Sequence, residues 1–524
     1  MTNNYNYLFQ YLEKEGITFD KSKFLYQIQS HPDYPTLIAL TDTLNFFKIS
    51  NGVIKVGQSD IDLLPERFIS FQNDQKRETL PFFIEKNNDF YTLTHDQQTL
   101  KISKSELYSG WTGTVLLVEK NDMPESIALS KRKFPLLLSI TLLLFFINFY
   151  FISASSIAAF LVFFPLAGVL LSIASLKDVL GIKNTIIDGL CSGSDATSCN
   201  QIQKSVKWKL FKYIELSDLS LTFFLSQSLG FFVFTSNWNL GQYLIFQKTL
   251  LFMSLPFLLS SLYFQKYVEK KWCQICLLII TTILLEFSAL LYLTSWEFSF
   301  SIRLAVLFAL LFFATALVWQ KLKKILNENK KLRDLEIRAN RFIRNYETFK
   351  RFLLLSKKTD FIDLGHESIW IGNPRSKVRL VLVFSPFCKH CEATFRIVTK
   401  ILQEYDGKIG FDIRFDVSTN DDVESQEIHQ KFLQIYLQGG EIPFMEALAH
   451  WFRNLDKNSL EEFVTGDFDD QKVTCILEKQ FQMNQENEIR YTPTIIINQY
   501  VFPKEYQKEE LIYFIEDLLE DENF

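Results

Sequence analysis

From Phe134 to Leu176 the chain runs for 43 positions without a charged residue. A helix that crosses a bilayer needs about 20 consecutive apolar residues, so this stretch supplies two spans joined by a tight turn near Ser153–Ser156. Further apolar runs fall at roughly 219–236, 246–264, 273–293 and 302–320. About six spans are therefore expected, forming an α-helical transmembrane bundle over 134–320. Hydrophobic residues make up 48% of the 524 and phenylalanine alone supplies 52. They gather in this region, and both flanks read as water-soluble sequence. A net charge of −5 with no basic stripe argues against nucleic acid as a partner. Met1–Asp20 is polar and lacks an apolar h-region, so no secretory leader is expected there.

Residues 1–120 mix two periodicities. Tyr34–Phe47 places Leu37, Leu40, Thr41 and Leu44 at helical spacing, whereas Thr79–Glu85, Phe90–Thr94 and Thr112–Glu119 alternate or run β-branched as strands do. An N-terminal α+β domain is expected, followed by a polar linker ending in Lys131-Arg132-Lys133. After Gln320 the charged stretch KLKKILNENKKLRDLEIRANRFIRN continues the last span as a helical stalk over 321–359. From about Asp360 the pattern is α/β. Val378–Ser385 (VRLVLVFS) reads as a buried strand, followed by Cys388-Lys389-His390-Cys391 and an amphipathic helix. A second strand at Ile409–Val417, a helical insert and Tyr491–Asn498 (YTPTIIIN) complete it.

Seven cysteines are present, none before Cys191, and six form close pairs: Cys191/Cys199, Cys273/Cys276 and Cys388/Cys391. Cys475 stands alone and reads as a buried thiol used as a small apolar residue. A strand running into C-x-x-C at the head of a helix points amide N–H groups and the positive helix end at the first thiol, Cys388, lowering its pKa. His390 between the cysteines is expected to stabilise the thiolate further, which favours the reduced pair and makes the disulfide more oxidising. A lone C-x-x-C is also half a zinc site, but the strand–helix setting favours redox chemistry, and no metal site is expected. Cys273-Gln274-Ile275-Cys276 opens a span directly after Lys270-Lys271-Trp272, residue types that mark the membrane interface. Cys276 should lie about one turn deeper. Cys191 and Cys199 sit in a hydrophilic loop, where cysteines can swing as those on a helix cannot.

The strand, C-x-x-C and Thr492-Pro493 together resemble the thioredoxin superfamily over roughly residues 360–524. The resemblance implies that Thr492-Pro493 is a cis-proline loop beside the cysteines that docks client peptide, and the long insert is similar to that of the disulfide-forming branches. CSGSDATSC, Ser205 six residues later and WCQIC resemble the vitamin K epoxide reductase family across about residues 155–295. Members of that family fused to a thioredoxin-like domain oxidise it and pass the electrons to a quinone. The resemblance thus implies a quinone-dependent disulfide oxidoreductase with redox-active disulfides, ubiquinone or menaquinone as acceptor, and thiol-containing proteins or peptides as clients. Carried over by position, Cys191 takes electrons from Cys388/Cys391, Cys273 exchanges with the loop pair, and Cys276 faces the quinone drawn from the lipid pool. Animal members have a tyrosine four positions after the second helix cysteine, where this chain has Ile280, which argues against epoxide chemistry. Reduction of a quinone also takes protons, and Asp218 and Glu286 are the ionisable candidates within the spans; Asp218 is expected at the cofactor.

HPDYPTLIALTDTLNFF, LPFFIE and WTGTVLLVE resemble the papain-like C39 peptidase domain. Such a peptidase needs a Cys nucleophile and a His base, yet no cysteine precedes Cys191 and the expected His position reads Asn88-Asp89-Phe90-Tyr91. His31 and His95 read as surface residues, and the domain as non-catalytic. With six spans all cysteine pairs share one face of a cytoplasmic (inner) membrane. The lysines gathered there, among them Lys266, Lys270 and Lys271, would place that face inside, but redox grounds favour the extracytoplasmic side, and the cysteine pairs and thioredoxin-like domain are expected there. The rival functions are a transmembrane thiol-reducing relay using the same pairs, and a component of peptide maturation or export. The second is disfavoured because no phosphate-binding GxxxxGK[ST] loop is present.

Overall fold

A computed structural model describes residues 5–73, 79–87, 90–95, 98–119, 160–180, 216–236, 240–268, 270, 272–294, 301–360, 368–418, 420–455, 457–464, 470–522 and 524. These fall into two compact units, one made of 1–127 with 336–524 and the other of 128–335.

The N-terminal part opens with α1 (Asn6–Lys14), α2 (Lys21–Gln29) and α3 (Leu37–Phe46). It continues with β1 (Ser50–Lys55), β2 (Arg67–Asn73), β3 (Thr79–Lys86), β4 (Tyr91–His95) and β5 (Gln98–Ile102), then α4 (Lys104–Ser109) and β6 (Trp111–Glu119). The sheet is antiparallel in the order β1-β6-β2-β3-β4-β5. Successive strand residues point to opposite faces, and the sequence exploits this. Ile69, Phe83 and Leu116 pack under the helices with Leu8, Leu12 and Phe24. Their neighbours Phe68, Ile84 and Val115 face a second core closed by Ile61 and Leu107. His31 and His95 are not free surface residues. Both are half-buried: His31 Nε2 meets Asp42 at 3.2 Å, and His95 Nδ1 bonds the Pro81 carbonyl at 2.7 Å.

The helical unit contains α5 (Phe163–Ser175), α6 (Leu216–Ser236), α7 (Leu240–Tyr263) and α8 (Gln274–Leu293), and α9 (Ile302–Ile343) begins in it. Among the described residues three helices are long and apolar enough to cross a membrane: Gly241–Val268, Gln274–Leu293 and Ile302–Ile343. The fourth expected run, 219–236, falls within α6. The two spans expected in 134–176 lie largely outside the described residues; α5 occupies the end of that stretch. α5 and α6 approach closely because Gly168 has no side chain, and a Cβ there would strike the Phe224 ring. α9 runs unbroken for 42 residues, apolar at first and charged after Gln320.

The C-terminal part comprises α10 (Tyr346–Leu355), β7 (Ile369–Gly372), β8 (Arg379–Phe384), α11 (Lys389–Glu404) and β9 (Gly410–Phe415). It continues with α12 (Val423–Gly439), α13 (Glu441–Asn454), α14 (Asp470–Glu486), β10 (Thr494–Ile497), β11 (Tyr500–Val501) and α15 (Ile515–Glu520). The sheet order is β11-β10-β8-β9-β7, with β8 and β9 parallel and the other pairs antiparallel. β8 is buried over Leu380–Phe384, as its continuous apolar run requires. The C-terminal domain is thioredoxin-like, with α12, α13 and α14 as its helical insert.

The last two turns of α9 join the N- and C-terminal parts of their shared unit. Arg341 donates from Nε to the Gln29 carbonyl at 2.6 Å, and its guanidinium stacks 4.4 Å from the Tyr34 ring centroid. Arg344 lies 3.9 Å from the Tyr513 ring centroid and donates to Gln27 Oε1 at 3.1 Å. Tyr513 in turn stacks on Phe46.

Candidate active site: two cysteine pairs

β8 ends at Phe384, and Ser385-Pro386-Phe387 turns the chain so that Cys388 caps α11. The Cys388 amide donates to the Ser385 carbonyl at 3.1 Å and the Cys391 amide to the Cys388 carbonyl at 2.9 Å. The turn is held from the insert, where Trp451 Nε1 donates to the Pro386 carbonyl at 3.0 Å and the Trp451 ring meets Phe387 edge-on. Opposite the cysteines, the Thr492–Pro493 peptide bond is cis, and Cys388 Sγ donates to the Thr492 carbonyl at 3.2 Å.

The two thiols differ sharply. Cys388 is half-buried, and Cys391 is fully buried in the domain core. Burial pushes the Cys388 thiol up, but hydrogen bonds from Thr492, from the Cys391 thiol and from the Cys391 and His390 backbone outweigh it, and the net pKa is lowered. Burial pushes the Cys391 thiol up to about 12, and Cys388 beside it adds to the rise. An accessible low-pKa thiol beside a buried high-pKa thiol is the pattern of a nucleophile with its resolving partner. His390 is exposed and lies, with Tyr491, Pro493 and Tyr506, along a groove of about 480 Å³. Of His390 it is the backbone N–H that helps to lower the Cys388 pKa.

In the helical unit Cys273 caps α8, its sulfur accepting from the Cys276 amide at 3.3 Å. The Cys273 amide donates to Gln265 Oε1 at 3.0 Å. Cys273 is buried and Cys276 half-buried. Cys276 continues along α8 through Ile279, Ile280 and Ile283 as one wall of a cavity of about 480 Å³. Phe223 and Phe224 of α6, Leu250 and Phe257 of α7, and Phe308 and Phe312 of α9 supply other walls. Its polar contributors are hydroxyls, Ser217, Ser220, Ser254 and Ser261 among them. Met253, Phe257 and Phe313 both line it and are exposed on the unit's flank.

Asp218 is not among the cavity-lining residues. Its carboxylate accepts from Lys323 Nζ at 2.8 and 3.0 Å and from Trp319 Nε1 at 2.7 Å, so it ties α6 to α9. Glu286 is buried in α8 and accepts from Gln247 of α7. Cys191, Cys199 and Ser205 lie outside the described residues. Cys475 corrects the sequence reading: it sits exposed on α14, on the face turned away from buried Val473, Ile476 and Leu477. Sequence reasoning missed Trp451, Phe387 and the cavity walls. For Trp451 the available signal was a large aromatic within the insert of a thioredoxin-like chain.

Residues 365–517 match a family described as Thioredoxin. Among solved structures, a periplasmic thioredoxin-like protein from Salmonella enterica serovar Typhimurium is 16% identical, aligning over 31% of this chain and 100% of its own, with a TM-score of 0.27. BdbD from Bacillus subtilis is also 16% identical, over 32% of this chain and 98% of its own, at a TM-score of 0.26. The thiol-disulfide exchange protein α-DsbA2 from Wolbachia pipientis is 17% identical, over 34% and 97%, at 0.24. No curated protein matches the chain.

Proposed function

We propose that this protein is a membrane thiol oxidase of the vitamin K epoxide reductase type. It makes disulfides in client proteins with its thioredoxin-like domain and sends the electrons to a quinone. The observation that carries this reading is the double position of Cys276, in a C-x-x-C with Cys273 and in the wall of an apolar cavity. A lipid-soluble planar quinone ring fits such a space, which is apolar with a few hydroxyls to orient it. Ubiquinone or menaquinone, held by Cys276, Ile280 and the phenylalanine walls, would supply a two-electron acceptor there. Ile280 stands where a tyrosine would serve epoxide chemistry, in keeping with quinone reduction alone.

The chain's own residues set the direction. A thiolate favoured at Cys388 stabilises the reduced pair and makes its disulfide a strong oxidant, which supports oxidation of clients over the reverse relay. A client thiolate attacks the Cys388–Cys391 disulfide at Cys388, and a second client thiol releases Cys388 as the client disulfide closes. The Cys388/Cys391 thiols then pass two electrons to Cys191/Cys199, and those to Cys273/Cys276. The groove past His390, Tyr491 and Pro493 receives the client. We place the cysteine pairs on the extracytoplasmic face of the cytoplasmic membrane, where disulfides persist, and read the N-terminal domain as a non-catalytic relative of the C39 peptidases.

Two experiments test the proposal. Full-length protein reduced with dithiothreitol should bleach a short-chain ubiquinone, and Cys276→Ser should abolish this. Cys391→Ser should accumulate a mixed disulfide between Cys388 and Cys191. Quinone left untouched by the wild-type protein, or a trap formed only with Cys475, would refute it.

A further inference from the structure

Resting on the acceptor reading above, we infer that Glu286, held by Gln247, carries protons to the Cys276-lined cavity from the end of the helical unit remote from the cysteines. Glu286 is fully buried and lies ten residues beyond Cys276 on α8, about 15 Å along the axis. Ile283 precedes Glu286 by three residues, Leu250 follows Gln247 by three, and both line the cavity. The pair therefore sits one helical turn beyond the cavity wall.

Gln247 Nε2 donates to Glu286 Oε1. Glu286 Oε2 and Gln247 Oε1 are buried with no hydrogen-bond partner among the described residues. A buried acceptor without a partner calls for an explanation, and a redox or catalytic role is one of the few that apply. Polar groups continue away from the cysteines: Lys248 Nζ donates to Thr294 Oγ1 at 3.3 Å, and Thr294 ends α8. Tyr243, one turn before Gln247, interacts electrostatically with Glu286, and its hydroxyl is committed to the Gln227 carbonyl at 3.0 Å. Asp218 is taken up by Lys323 and Trp319, which leaves Glu286 as the carboxyl near the cavity among the described residues.

Closing the Cys273–Cys276 disulfide releases two electrons and two protons from the thiols, and a quinone becoming a quinol takes up two of each. Glu286 passes protons toward the cavity and is reloaded from the Thr294 end, while the thiol protons leave at the cysteine end. Each turnover then balances, with two protons taken up at one end and two released at the other.

The test uses full-length protein with a short-chain ubiquinone, comparing wild type, Glu286→Gln and Glu286→Asp. Glu286→Gln should slow single-turnover quinone reduction about a hundredfold, the low end of what a positioned proton carrier contributes. It should also remove a carboxyl band from the redox-difference infrared spectrum, leaving maleimide labelling of reduced Cys276 and the melting temperature unchanged. Glu286→Asp should keep the band and part of the rate, with a displaced pH profile. The inference is overturned if Glu286→Gln reduces quinone at the wild-type rate. It is equally overturned if rate falls only in step with melting temperature in both variants and wild type shows no carboxyl band. A wild-type protein that reduces no quinone refutes the acceptor reading, and this inference with it.

Discussion

Cys388 and Cys391 are three residues apart, yet one helical turn separates an accessible thiol from one sealed in the core. Titrating the thiolate absorbance should therefore give one step lowered from the ordinary cysteine range, assigned to Cys388, and a second pushed up to about 12 for Cys391. Cys391→Ser should keep the first step, and Cys388→Ser should lose it. A second prediction concerns His429, buried beside Phe415 and Phe387 with Nδ1 bonded to the Ser425 carbonyl at 2.7 Å. Burial lowers its pKa to about 4, whereas the unfolded imidazole takes its proton near 6.5. Between those values the unfolded state binds more protons, so stability falls as pH drops from 6.5 to 4, by roughly 3 kcal/mol from this group. Asp517, pushed up to about 6 by burial and by Glu516, Glu520 and Asp42, acts in the opposite sense. The difference between wild type and His429→Gln in urea unfolding across that window isolates the histidine. A difference that does not change with pH would contradict its burial as a neutral ring.

At the scale of elements, α8 presents Cys276, Ile279, Ile280 and Ile283 to the cavity at helical spacing. Ile283→Trp should fill the space and lower quinone reduction by about tenfold or more, equivalent to at least roughly 1.4 kcal/mol of lost binding. Insulin reduction by the Cys388/Cys391 pair should be unchanged. Gly168→Ala should force α5 and α6 apart around Phe224 and cost about 1–3 kcal/mol, seen as a lower melting temperature in detergent. How much of this the chain announced beforehand depends on locality. The Cys388 site is built from contiguous residues plus Thr492-Pro493, all of it readable as pattern. β8 was legible as a continuous apolar run and β9 (GFDIRF) by its strict alternation, apolar at Phe411, Ile413 and Phe415. β1 (SNGVIK) was not, since it carries Gly52 and is exposed over Gly52–Lys55; nor was the polar strand β5 (QTLKI). The cavity was illegible because its walls come from five helices. Glu286 and Gln247 are 39 residues apart, and no local periodicity links them.

For the molecule as a whole, the N-terminal α+β domain and the thioredoxin-like domain form one compact unit through the end of α9. Arg344 stacks on Tyr513 and bonds Gln27, and Tyr513 stacks on Phe46. Arg344→Ala should remove a cation–π contact of about 0.5–2 kcal/mol together with a hydrogen bond. It should lower the melting temperature of both domains together, read by fluorescence from Trp111 in one and Trp451 in the other. Separate transitions in the wild type would refute this coupling.

The shared helix end has a practical corollary for dissecting the protein. A fragment starting at residue 336 would leave Arg341, Arg344, Tyr513 and Lys400 facing water where Tyr34, Gln27 and Phe46 now lie. The stretch that covers them ends more than two hundred positions upstream in the chain. A faithful water-soluble half must therefore be spliced, with residues 1–119 tethered to 336–524 or the two pieces co-expressed, because no single cut releases it.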